Sequence, residues 1–225
     1  MAARSCALCG VRPATTVEHV PAKSLFAQPR PSDLITVPAC APCNNGSQTD
    51  DDYFRKTLAL IAEPEPSIAL ERIRPAVTRG FGRDQERGLR AHFEGRTGFA
   101  PLDNRIVHQP VIKPNARRLN DVVAKHAVGV FYEVMREPLP SSYGTVVLPV
   151  RSFHKIPSED RRHWQKIVRA ALAGCRRRVG DGNVFRFAFN VAHDNRYGFA
   201  AVLLYFDNFA YVVHSYARPI AETEA

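Results

Sequence analysis

The chain has 225 residues, 45% of them hydrophobic, and 31 basic against 22 acidic side chains give a net charge of +9. That length and apolar content suffice for a packed core of one large or two small domains, which excludes a wholly disordered chain and one that depends on disulfide staples. The longest uncharged apolar run, Gly198 to Phe206, is too short to span a bilayer, and Met1 to Gly10 lacks the apolar stretch of a signal peptide, so a soluble, cytoplasmic protein with no membrane contact is expected.

In chain order, residues 1–46 are short of apolar material, punctuated by proline and glycine, and contain two Cys-x2-Cys pairs. Such a segment needs a metal to hold it. From Thr49 the pattern turns helical: Thr49 is the expected cap, Asp50, Asp51 and Asp52 suit the positive N-terminal end, and Phe54, Leu58 and Ile61 share one stripe before Pro64 and Pro66. Residues 71–115, rich in Arg, Gly and Pro, read as an irregular connection. Helical spacing of Leu119, Val122, Val123, His126, Val130, Phe131 and Val134 predicts a second helix from Ala116 to about Met135, with His126 a hydrogen-bonded core residue. A strand is expected at Thr145 to Val150. A third helix is predicted with Ser158 as cap, an apolar stripe of Trp164, Ile167, Val168, Ala171 and Leu172, and Arg176 to Arg178 closing its end before Gly180 and Gly182. Three β-rich runs follow, Val184 to Val191, Phe199 to Phe206 and Ala210 to His214, and read as an antiparallel meander packed on helices. Phe185, Phe187 and Phe189 alternate along one of them, a core face by preference to a base-stacking platform.

The charge is unevenly placed. Residues 1–60 are nearly neutral, while 25 of the 31 basic residues are arginine and most lie downstream. Arginine forks match phosphate geometry, which points to nucleic acid, with a solvated face as the alternative. The best-placed group is Arg161, Arg162, Lys166, Arg169, Arg176, Arg177 and Arg178, on or beyond the polar face of the third predicted helix.

Cys6-x2-Cys9 and Cys40-x2-Cys43 each turn two sulfurs towards one centre, the ligand set of a closed, structural Zn2+ site. No βαβ pattern surrounds either pair, which disfavours a redox motif. Between the pairs lies Glu18-His19-Val20-Pro21, and Asn44 follows Cys43 directly. A carboxylate and an amide oxygen are hard donors for Mg2+ or Mn2+, and a neutral imidazole beside them has the right pKa to take a proton from water. Without the cysteine frame, the same residues would more simply be a surface ion pair and a helix cap.

In these motifs the first 60 residues resemble the HNH, or ββα-metal, nucleases, in the branch framed by a four-cysteine zinc site. The resemblance implies a β-hairpin followed by a helix around one divalent ion. It places Glu18 as the acidic metal ligand, His19 as the general base and Asn44 as the final metal ligand. The reaction implied is phosphodiester hydrolysis of nucleic acid, DNA rather than RNA. The family's asparagine before the third cysteine, which braces the catalytic histidine, has no match in Leu34, Ile35 and Thr36, and leaves Asp33 or Thr36 to take its place. The fold expected is α+β: a zinc-framed module over 1–62, an irregular connection over 63–115, and an α+β domain over 116–225 that positions nucleic acid. A zinc-dependent nucleic-acid- or protein-binding module without catalysis is the alternative.

Overall fold

The structure, a computed structural model, describes residues 4–61, 67–81, 96–102, 105–111, 114–180, 183–192 and 195–218, with the backbone alone over 96–102 and 105–111. The fold is α+β. Strands β1 (Thr16–Val20) and β2 (Ile35–Ala39) pair antiparallel, with Glu18 opposite Val37 and His19 opposite Thr36. Helices α1 (Ala41–Asn45) and α2 (Gln48–Leu60) follow, then α3 (Ile68–Arg79), a hairpin of β3 (Arg96–Leu102) and β4 (Arg105–Val111), and α4 (Ala116–Met135). The rest is β5 (Tyr143–Pro149), α5 (Ser158–Ala173), β6 (Cys175–Val179), β7 (Phe185–Ala192), β8 (Asn195–Tyr205) and β9 (Phe209–Ala217), whose strands form one antiparallel sheet in the order β5-β9-β8-β7-β6.

Helix α4 has the predicted bounds. Asn115 caps it by accepting from the Arg118 N–H, Leu119, Val122, Val123, His126, Val130 and Phe131 are buried, and Arg136 ends it in the left-handed region. Val134 falls outside the stripe and is exposed. One face of the meander carries Phe185, Phe187, Phe189, Leu203, Tyr205 and Val213, all buried against α4 and α2, so the phenylalanines are core. Phe54 of α2 meets the rings of His126, Tyr205 and Tyr211, and one apolar cluster extends from Ala7 to Val213. The N-terminal hairpin and the C-terminal sheet therefore share a single core.

Three expectations differ from the structure. The segment read as irregular contains α3 and the β3–β4 hairpin. Ser67 caps α3 through the Leu70 N–H, and the helix buries Ala69, Leu70, Ile73 and Val77 with Pro75 in its interior. Arg176, Arg177 and Arg178 lie not at a helix end but on edge strand β6, because the helix stops at Gly174. A Cβ at Gly174 would collide with the Phe189 carbonyl on β7, so glycine alone lets the strand pass that close. The caps also shift: Ser47 rather than Thr49 precedes α2, and Pro157 rather than Ser158 precedes α5.

Helix α4 is tied to β1 at two points. A Cβ at Gly129 would overlap Val20 Cγ2 and come within 3.0 Å of Cγ1. Gly129→Val is expected to lower the urea midpoint by the equivalent of about 1–3 kcal/mol, since overpacking against Val20 outweighs valine's slightly better helix propensity. The other tie is His126, fully buried, whose Nδ1 is 2.8 Å from the Tyr205 hydroxyl and whose Nε2 accepts from the Ala22 N–H at 3.4 Å. Because Nε2 accepts, Nδ1 carries the proton of a neutral ring. Burial, and then the Lys125 charge, hold its pKa well below the usual 6.5. The unfolded chain takes up that proton below about pH 6.5 and the folded one does not, so stability falls as pH drops from that point. The urea midpoint should decline between pH 7.5 and 5.5, and His126→Gln should flatten the decline.

Candidate active site

The two cysteine pairs converge. Cys6 and Cys9 sit on a turn closed by hydrogen bonds from the Cys6 N–H to Arg12 and from the Gly10 N–H to Cys6, while Cys40 and Cys43 bracket the start of α1, where Asn44 N–H bonds back to Cys40. All four sulfurs lie within 4.8 Å of one another, with Cys9 and Cys40 Sγ 4.0 Å apart. Sulfurs on a tetrahedral zinc stand about 3.8 Å apart, so the set fits a Zn2+ ion. The thiols divide in acidity. Burial would raise Cys40, yet the Cys43 N–H and the sulfurs of Cys43 and Cys6 bring it down to about 6, whereas burial and the Cys40 thiol push Cys43 far up. Four thiols so close cannot all ionise without a cation between them.

Beside this frame is a cleft of about 400 Å³ lined by Glu18 and His19 of β1, Lys23, Asn44 of α1, and Gln48 and Asp51 of α2. The expected residues are thus gathered on its walls. Strand alternation turns Glu18 inward, 5% exposed, and leaves His19 partly open on the other side of the pleat. The Asn44 amide donates through Nδ2 to Thr16 Oγ1 at 3.1 Å and to the Val17 carbonyl at 3.2 Å. Its Oδ1 accepts no hydrogen bond among the described residues, which leaves one hard oxygen in the cleft. Burial, then the positive charges of Lys23 and Arg30, lower the His19 pKa, so the ring is a neutral acceptor at pH 7. Burial raises Glu18, partly offset by Lys125.

Of the two stand-ins for the missing asparagine, Asp33 accepts from the Gly180 N–H at 3.0 and 3.1 Å and so ties the hairpin loop to the end of β6. Thr36 remains the direct cross-strand neighbour of His19. The residue that sequence reasoning missed is Lys125. From α4 its ammonium reaches Asp51 Oδ1 and Oδ2 at 2.7 and 2.6 Å, Ser47 Oγ at 2.9 Å and Glu18 Oε1 at 3.2 Å. The one available signal was a lysine at the edge of an otherwise apolar helical stripe. Asp51, read first as a helix-capping charge, is only 9% exposed and is Lys125's main partner.

The arginine group does not form one surface. Arg161, Arg162, Lys166 and Arg169 are exposed on α5, although Arg161 donates to the Ile156 carbonyl at 3.0 Å. On β6, Arg177 turns to Glu133 at 2.7 Å. Arg176 and Arg178 alternate to the opposite face of the strand, and all three arginines border an open groove with Arg186, Leu172 and Val202.

No protein-family model, curated protein or solved structure matches the chain. Among the described residues no helix is long and apolar enough to cross a membrane.

Proposed function

We propose that this protein is a metal-dependent endonuclease of the HNH type, which hydrolyses phosphodiester bonds of nucleic acid, DNA in preference to RNA. The observation that carries the reading is one cleft lined by Glu18 and His19 from the first strand of a hairpin and by Asn44 from the helix after the second strand, beside four converging cysteines. In this reading Cys6, Cys9, Cys40 and Cys43 hold a structural Zn2+ that locks β2 and α1 to the N-terminal turn. Glu18 and the Asn44 Oδ1 hold Mg2+ or Mn2+, and that ion, when bound, neutralises charge on the phosphate and the departing 3′ oxygen. His19, neutral and half-open, accepts a proton from the attacking water. The exposed guanidinium groups on α5, with Arg176 and Arg178 on β6, supply sequence-independent contacts to the backbone.

Supercoiled plasmid incubated with the protein should be nicked in Mg2+ or Mn2+ and left intact in EDTA. Metal-independent nicking, or none in either ion, would overturn the reading. The alternative, a zinc-framed binding module without catalysis, draws support from Lys125, whose ammonium already pairs with Glu18. DNA retained on a gel without cleavage in any metal would favour it.

A further inference from the structure

The inference concerns Lys125 and rests on the reading of Glu18 as a metal ligand. Lys125 lies outside the 60-residue segment that carries the hairpin and cysteines, on the helix that packs against that hairpin. Three sites within five residues of α4 register it against β1 and the residues after it: Lys125 to Glu18, His126 to the Ala22 N–H, and Gly129 to Val20. The Lys125 side chain is 11% exposed and its ammonium lies between two carboxylates, so the group has a net charge of −1. Both oxygens of Asp51 bind it more closely than Glu18 does, at 2.6 and 2.7 Å against 3.2 Å. Asp51 therefore balances the ammonium's charge, and Ser47 Oγ at 2.9 Å fixes its direction. The contact to Glu18 occupies Oε1 only, while Oε2 accepts no hydrogen bond among the described residues. A lysine whose charge is already matched can donate to a metal ligand without strongly repelling the ion, and it leaves the remaining oxygen of a carboxylate that lines the cleft free to bind one.

We propose that Lys125 is a positioning residue: with Asp51 as its counter-ion, it orients the Glu18 carboxylate so that Oε2 binds the divalent ion. The C-terminal part of the chain would in this way complete a site whose ligands all come from the N-terminal part.

The test uses the full, zinc-loaded chain and Mn2+ as the probe, with free Mn2+ followed by electron paramagnetic resonance in the absence of nucleic acid. Partners that orient metal ligands are typically worth 10- to 100-fold in affinity. Lys125→Met should weaken Mn2+ binding about tenfold, with zinc content unchanged. Lys125→Gln, which keeps a donor but no charge, should weaken it less and is the variant to read if methionine impairs folding. Because the effect acts through Glu18, Lys125→Met should add nothing in a Glu18→Gln background. Unchanged or tighter Mn2+ binding in the Lys125 variants, or losses that simply add to that of Glu18→Gln, would overturn the proposal. If Glu18→Gln itself leaves Mn2+ binding at the parental level, it is the assignment of Glu18 as a ligand that fails.

Discussion

His19→Ala should reduce metal-dependent cleavage of plasmid by about 10²- to 10⁴-fold, the usual contribution of a positioned general base. The fold should survive the change. His19 points away from the buried side of the hairpin, makes no hydrogen bond among the described residues, and faces exposed Thr36 across the ladder, so its removal creates neither a core cavity nor an unpaired buried group. The decisive comparison is rate against stability in one preparation: a urea midpoint within error of the parent, a full zinc complement, and almost no nicking. A variant that cuts at the parental rate would remove His19 from the mechanism, and one that unfolds would show that the ring has a structural role. The neutral state required of a base at pH 7 follows from burial and from Lys23 and Arg30, both of which disfavour the charged ring.

Loss of the cysteine-bound metal should have the largest effect on the N-terminal part. Cys6, Ala39 and Cys40 form a small buried cluster of their own, apart from the main core, with Leu8, Cys9 and Cys43 packed around it. So few apolar atoms cannot order two turns and a five-residue helix, whereas structural zinc contributes an apparent 10–16 kcal/mol in zinc-finger peptides. Cys43→Ser, or prolonged chelation of the parent, should release one equivalent of zinc, open the chain around residues 4–46 to protease and abolish cleavage. Asn44 is lost to the cleft because it follows Cys43 directly, and the hairpin is released because the Ala7 N–H and Thr15 N–H bond to Pro38 and Ala39. Val20, Ile35 and Val37 also reach into the shared core, so the urea midpoint of the whole chain should drop as well. A Cys43→Ser chain with the parental midpoint and protease pattern would show that the frame is not held by metal.

Much of the fold was legible locally. The apolar repeat from Leu119 to Phe131 defined α4, and alternation around Phe185, Phe187 and Phe189 marked a strand with one buried face. The four cysteines announced their convergence through spacing alone, since a Cys-x2-Cys turn has few ways to aim its sulfurs. Less legible was α3, where the helical face of Ala69, Leu70, Ile73 and Val77 competed with Pro75 and with the surrounding Arg and Gly. The misplacement of Arg176, Arg177 and Arg178 had a different origin: the stop at Gly174 is imposed by the close passage of β7, and no local propensity encodes that neighbour.

By itself, the sequence determined what depends on residues close along the chain: the sulfur set, the Glu18–His19 pair on a strand, and the period of each long helix. Only the tertiary structure decided which charges meet. Lys125 lies 107 positions after Glu18 and 74 after Asp51, and its largely covered side chain meets both buried carboxylates. A buried carboxylate requires a partner, but any of the chain's basic residues could have met that requirement. The choice fell to Lys125 because Gly129 lets α4 approach Val20 closely enough for a lysine one turn away to reach the cleft.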